Sequence, residues 1–220
     1  DLCVTWKYEE GNKAAADECR RLFDDQIRFQ MEEGVDFFIC ETFLAVGEAL
    51  IALECAKETG LPVMATLCFG DEQTAEGKTP GDAARMLEDA GADIVGVNCW
   101  QDPTYMLPVV EEMRQAVSGY VAAQPVAYKC TPDVHFFTGL KAFPDQLDPH
   151  QLTRYEMGKF ARRALDLGVN YIGGCCGCQG AHIRQMARAL GKMPAEEREW
   201  AVDYDNPQSA TEAYHHMRED

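Results

Sequence analysis

Gly91-Ala92-Asp93-Ile94-Val95-Gly96-Val97-Asn98-Cys99 carries the architectural rule of this chain in one short segment. A glycine stops the amphipathic helix before it, because glycine tolerates the left-handed backbone that ends a helix. A brief, β-branched apolar run follows, too short for a helix and suited to a strand covered on both faces. Polar and reactive side chains sit where the run ends. The same unit recurs outward in both directions. Upstream, a helix over 14–33 carries the apolar stripe Leu22, Phe23, Ile27, Phe29 and Met31. Gly34 closes it before a strand over 35–40 that ends at Glu41. A helix over 46–58, Gly60 and a strand over 62–68 come next, then a helix opening at Thr79-Pro80. Downstream, the spacing predicts a helix over 105–117 and a strand over 125–130. A helix over 153–167, Gly168, a strand over 169–175 and a last helix over 181–190 complete the series.

Strands alternating with helices imply right-handed βαβ units and a parallel sheet buried on both faces. Five strand–helix units are legible. No G-x-G-x-x-G or G-x-x-x-x-G-K-[ST] loop follows any strand, which argues against a nucleotide-binding sheet. A (β/α)8 TIM barrel needs eight strands and about 250 residues. Five units in 220 residues, opening at Asp1 rather than Met, read as the later strands of such a barrel with its first strands missing. The expected organisation is one α/β domain over 1–193 and an acidic tail over 194–220.

Composition narrows the partners. Hydrophobic residues at 46% support a real core, and 20 basic against 37 acidic residues give a net charge of −17. Such a surface repels nucleic-acid backbones and anionic membranes. No apolar run approaches the roughly 18–20 residues that span a bilayer, and no leader is visible at the start. Ten cysteines without a secretory signal fit a reducing, cytoplasmic setting better than a disulfide framework.

The chemistry concentrates in Gly173-Gly174-Cys175-Cys176-Gly177. Adjacent side chains on a regular strand point to opposite faces, so two neighbouring thiols share a metal only where flanking glycines allow a sharp bend. Cys99 ends a strand two units earlier, and barrel strand ends converge over the axis. Three thiolates with an open fourth position describe a catalytic zinc site. Spacing alone leaves that reading level with buried, inert thiols. Core or incidental roles are expected for Cys3, Cys19, Cys40, Cys55 and Cys68, and spectator roles for Cys130 and Cys178. Cys175 and Cys178 have redox spacing, but lie after the last strand rather than early in a thioredoxin-like unit. His135 is read as a solvent-facing loop residue, His182 and His150 show no partner pattern, and His215-His216 belongs to the tail.

Val97-Asn98-Cys99 together with the glycine–cysteine string resembles the zinc signature of the homocysteine S-methyltransferase family. The likeness runs from about Phe37 to Leu190 and is closest to the betaine-using members. It includes Phe38-Ile39-Cys40-Glu41-Thr42-Phe43 and Gln124-Pro125-Val126-Ala127-Tyr128. The resemblance implies a barrel in which Cys99, Cys175 and Cys176 bind Zn2+, which holds homocysteine as a thiolate. Methyl transfer from betaine would then give methionine and dimethylglycine. Glu41 would contact the homocysteine amino group, with Asn98 beside it as a substrate or outer contact. Departures from the family pattern leave other donors open: S-methylmethionine, another sulfonium compound or a methyl-carrier domain. The early Asp-Gly-Gly strand has no counterpart here, Thr42 stands where betaine enzymes tend to carry Tyr, and Trp6, Trp100, Tyr105 and Phe136 are read first as packing residues. The family's long oligomerisation arm is absent or replaced by the tail, which leaves a homo-oligomer open. A non-catalytic zinc-binding fragment and a thiol redox protein are the competing readings.

Overall fold

The structure, a computed structural model, describes residues 1–70 and 73–193; the expected tail and His215-His216 lie outside the described residues. Six parallel strands form one sheet in sequence order. They are β1 (Leu2–Cys3), β2 (Phe38–Phe43), β3 (Val63–Leu67), β4 (Ile94–Asn98), β5 (Tyr120–Gln124) and β6 (Tyr171–Ile172). Helices α1 (Lys13–Glu33), α2 (Val46–Lys57), α3 (Pro80–Asp89) and α4 (Pro103–Ala116) follow the first four strands, and α5 (Arg154–Asp166) and α6 (Gly180–Ala189) flank β6. Each strand lying beside its sequence neighbour, with a helix in every crossover, is the pattern expected for consecutive units of a (β/α)8 barrel.

Alternation along the strands divides the sheet into two chemistries. Val63, Ala65, Leu67, Val95, Val97, Val121 and Ala123 pack against helix residues such as Leu53, Leu87, Val110 and Met113 in the main core. Thr66, Gly96, Asn98, Ala122 and Gln124 take the other face. Gly96 is required there: a Cβ would stand 2.3 Å from the Ala122 carbonyl oxygen of the neighbouring strand. Local signals fix the helix starts. Thr79 caps α3 ahead of Pro80, Asp102 caps α4 ahead of Pro103, and Thr153 with Glu156 forms a capping box on α5. No helix among the described residues is long and apolar enough to cross a membrane.

The helices fall within two residues of their expected bounds. The strands differ in four places. β1 was not among the five expected units, since two residues carry no periodicity. β5 occupies 120–124 rather than 125–130. Pro125 has no N–H to give a ladder, whereas Ile94 through Asn98 pair in register with Tyr120 through Gln124. β2 runs on through Glu41 to Phe43, with a break in register between Cys40 and Phe43. β6 keeps only Tyr171 and Ile172; Gly173 and Cys175 still donate to the Ala123 and Pro125 carbonyls at 3.1 and 2.8 Å, but Pro125 has no N–H to return.

Candidate metal centre

β4 delivers the first thiol. Simple alternation would turn Cys99 toward the helices, opposite Asn98. Instead Cys99 and Trp100 both adopt φ of 59°, a left-handed conformation that costs a non-glycine residue about 1–3 kcal/mol. Hydrogen bonds hold the turn: Cys99 N–H donates to the Gln124 carbonyl at 2.9 Å and Gln101 N–H to the Cys99 carbonyl at 2.7 Å. The Cys99 side chain therefore joins the satellite apolar cluster of Cys130, Val126 and Phe137 rather than the main core.

The glycine–cysteine string delivers the other two. Cys175 N–H donates to the Pro125 carbonyl at 2.8 Å, and the Cys176 carbonyl accepts from Ala127 N–H at 2.8 Å. Cys178 N–H closes a turn onto the Cys175 carbonyl at 3.0 Å. Gly177, at φ 76°, completes that turn where a Cβ would stand 2.6 Å from the Tyr128 ring.

The three sulfurs converge. Cys99 Sγ lies 3.5 Å from Cys176 Sγ, Cys175 Sγ lies 4.0 Å from Cys176 Sγ, and all three fall within 4.8 Å of one another. Tetrahedral thiolates at Zn–S bonds of about 2.3 Å stand about 3.8 Å apart, so the donor set fits such an ion. Protonation points the same way. Hydrogen bonds from Cys175 and Cys99 pull Cys176 down to about 3. The hydrogen bond to Cys176, then that to Cys99 and burial, drive Cys175 up. For Cys99 the contact with Cys175 lowers the value, yet the bond to Cys176 and burial carry it up to about 12. Each sulfur's ionisation thus opposes that of its neighbours. A dication is what allows all three to ionise together.

Asn98 links this cluster to Glu41. Its side-chain Nδ2 donates to Glu41 Oε2 at 3.1 Å and reaches Cys175 Sγ at 3.9 Å. All five residues expected at the site are thus brought together. Glu41 is half-buried, and desolvation raises its carboxyl above the usual range. Asp1, Cys3 and Glu41 also offer ligand atoms within 4.8 Å of one another, but Asp1 and Cys3 are exposed.

Other residues stand apart. Cys130 is held away by its own N–H to Asp102 at 2.7 Å, and burial pushes its thiol up to about 11. Cys178 is not part of the sulfur group. His135 stacks on Tyr105 at 4.2 Å and contacts the Pro132 carbonyl. His182 is a buried brace: Nδ1 accepts from Gln179 N–H at 2.9 Å, and Nε2 lies 2.8 Å from the Leu152 carbonyl. Two residues went unassigned by the sequence. Thr42 stands only as a departure from the family, and Thr66 is given no role; its place on the Asn98 face of β3, by alternation, was the available signal.

The sequence profile of the homocysteine S-methyltransferase family matches residues 2–190. The chain is 43% identical over 180 residues to betaine–homocysteine S-methyltransferase 1 of Mus musculus, covering 79% of this chain and 44% of that protein. It is 38% identical over 197 residues to S-methylmethionine–homocysteine S-methyltransferase of Rattus norvegicus, covering 86% and 53%. The chain thus spans about half the length of these curated relatives. In three dimensions it is similar to the apo form of the homocysteine methyltransferase MmuM of Escherichia coli, with a TM-score of 0.63 at 12% identity over 86% of this chain and 60% of that one. The metallated form of MmuM aligns with a TM-score of 0.61 at 13% identity, over 83% and 55%. At these identities the likeness speaks for the fold alone. A profile matched from β1 to the end of α6, on a parallel sheet that gathers three cysteines at its strand ends, places this chain in the homocysteine S-methyltransferase family.

Proposed function

We propose that this chain carries the metal centre of a zinc-dependent enzyme that methylates homocysteine, with betaine as the donor. One observation carries the reading: Cys99, Cys175 and Cys176, far apart in sequence, present sulfurs within 4.8 Å of one another. Cys99, Cys175 and Cys176 would hold the ion, and zinc bound there would keep the homocysteine sulfur as a thiolate near neutral pH. Glu41, with its carboxylate fixed by Asn98, receives the substrate ammonium. The reaction forms a sulfur–methyl bond while the carbon–nitrogen bond of betaine breaks, its electron pair staying on nitrogen, to give methionine and dimethylglycine. Trp100, next to Cys99 and packed against Phe136 at 5.6 Å, offers an aromatic face of the kind that attracts a quaternary ammonium. Reduced thiols suit a cytoplasmic setting.

The 43% relatives favour betaine, and the relative named for S-methylmethionine supports a sulfonium donor as the second reading. The test is elemental analysis and methionine formation by the intact protein purified under reducing conditions, with each donor in turn. The expected result is about one zinc per chain, turnover with betaine, and loss of metal and turnover in Cys99→Ala, Cys175→Ala and Cys176→Ala. Full turnover without metal would overturn the zinc reading, and turnover with S-methylmethionine only would move the donor to the second.

A further inference from the structure

We propose that Asn98 is a positioning residue that ties the metal-binding sulfur of Cys175 to the substrate-facing carboxylate of Glu41 through one amide, that the Thr42 backbone N–H sets which way that amide faces, and that the Thr66 hydroxyl helps to hold it there. The proposal rests on the thiolate–metal reading above. Asn98 is fully buried, so each polar atom of its side chain needs a partner. Its Oδ1 accepts from the Thr42 backbone N–H at 2.8 Å and from the Thr66 hydroxyl at 2.8 Å. A backbone N–H can only donate, so the contact with Thr42 decides the orientation of the amide. The NH2 group must then face the opposite way. There it meets Thr42 Oγ1 at 2.6 Å, Glu41 Oε2 at 3.1 Å and Cys175 Sγ at 3.9 Å.

Two hydrogens thus serve three acceptors. Thr42 Oγ1 takes one, and the second is presented to the carboxylate and the sulfur together. Both of those groups are anionic in the working site and would otherwise repel each other. A neutral donor between them holds Glu41 in place and draws charge from the Cys175 sulfur, which tunes how strongly that sulfur binds a metal. The backbone is shaped around this clamp. Thr42 has φ of 64°, and the β2–β3 register breaks between Cys40 and Phe43, so its N–H serves Asn98 rather than the ladder. Thr66 is buried, and its hydroxyl has the Asn98 oxygen at 2.8 Å against 3.4 Å for the Cys40 carbonyl.

Asn98→Asp tests this in the intact protein. The substitution keeps the shape and the acceptor for Thr42 and Thr66, but turns a second oxygen toward Glu41 and Cys175. Zinc affinity is measured by competition with a chromophoric chelator, and the cobalt-substituted protein reports the sulfur-to-cobalt absorption band. That band also reads the binding of homocysteine against butanethiol, which lacks the ammonium. The expected result is zinc bound about 10–100-fold more weakly, a shifted cobalt band, and loss of the preference for homocysteine. Thr66→Val, which changes no charge, should move the same readouts in the same direction by about fivefold, and carries the test if Asn98→Asp does not fold. Wild-type zinc affinity, band and thiol preference in either folded variant would overturn the proposal. A wild-type protein that binds neither zinc nor cobalt would overturn the metal reading and this inference with it. A zinc-binding wild type with indifferent variants would overturn this inference alone.

Discussion

Glu41 shows how a single residue depends on its surroundings. In the proposed role its carboxylate works only while charged, since a neutral acid does not hold an ammonium ion. Burial raises its pKa, so the charge is lost at a higher pH than for an ordinary glutamate as the solution is acidified. Homocysteine affinity should therefore fall as pH drops through that raised value, and Glu41→Gln should flatten this acid limb while raising KM at neutral pH. A charged hydrogen bond contributes about 1.5–3 kcal/mol, so the KM increase should be about 10–150-fold; a variant with unchanged KM and pH profile would remove Glu41 from the substrate. That Glu41 and the three cysteines come together was legible from the family resemblance, since spacing alone left the cysteines level with buried, inert thiols. Thr42 and Thr66 were not, because no local pattern distinguishes a threonine that clamps an amide from one that merely suits a strand.

At the level of elements, the helices were readable from their apolar stripes, from the glycines that close them and from Thr79-Pro80 opening α3; the structure adds the caps, with Asn12, Thr79, Asp102 and Thr153 accepting from the first-turn N–H groups of α1, α3, α4 and α5. β5 was harder. Its Tyr-Val-Ala-Ala-Gln sequence is weakly strand-forming, while the next segment looks more apolar. What fixes the true position is non-local: the match with β4, and Arg114 of α4, which donates to the Gly119 and Val117 carbonyls at 2.6 Å each. The β4–β5 contact also yields a prediction. Gly96→Ala forces a Cβ to 2.3 Å from the Ala122 oxygen and 2.7 Å from its Cβ, so β4 and β5 must part beside Asn98. Overpacking of this kind costs about 1–3 kcal/mol; the urea midpoint should fall accordingly, and an unchanged midpoint would show that the strands yield freely.

Over the whole molecule the ten thiols sort by depth. Among those described, Cys3 and Cys176 are exposed and Cys175 and Cys178 intermediate, while Cys19, Cys40, Cys55, Cys68, Cys99 and Cys130 are buried. Native alkylation of metal-free protein should therefore modify Cys3 and Cys176 first, and zinc should protect Cys176 but not Cys3, as read by peptide mass; equal protection of both would argue against the cluster as the binding place. Burial also pushes Cys40 and Cys68 up to about 12 from 9.0. Above pH 9 the unfolded chain releases these protons and the folded one does not, so their contribution to stability is complete below that value and declines as pH rises toward 12. Each group removes up to about 1.4 kcal/mol per pH unit, and Cys40→Ala should lessen the alkaline fall in melting temperature.

Strand order has a consequence for biosynthesis. Because each strand docks on the one made just before it, the sheet can grow as the polypeptide leaves the ribosome. Cys99 is translated 76 residues ahead of Cys175, an interval of roughly 4–15 s at about 5–20 residues per second. Through that interval the nascent chain carries one sulfur of the triad without its companions, so under the proposed function an ion held by all three could be captured only once the glycine–cysteine string after β6 emerges.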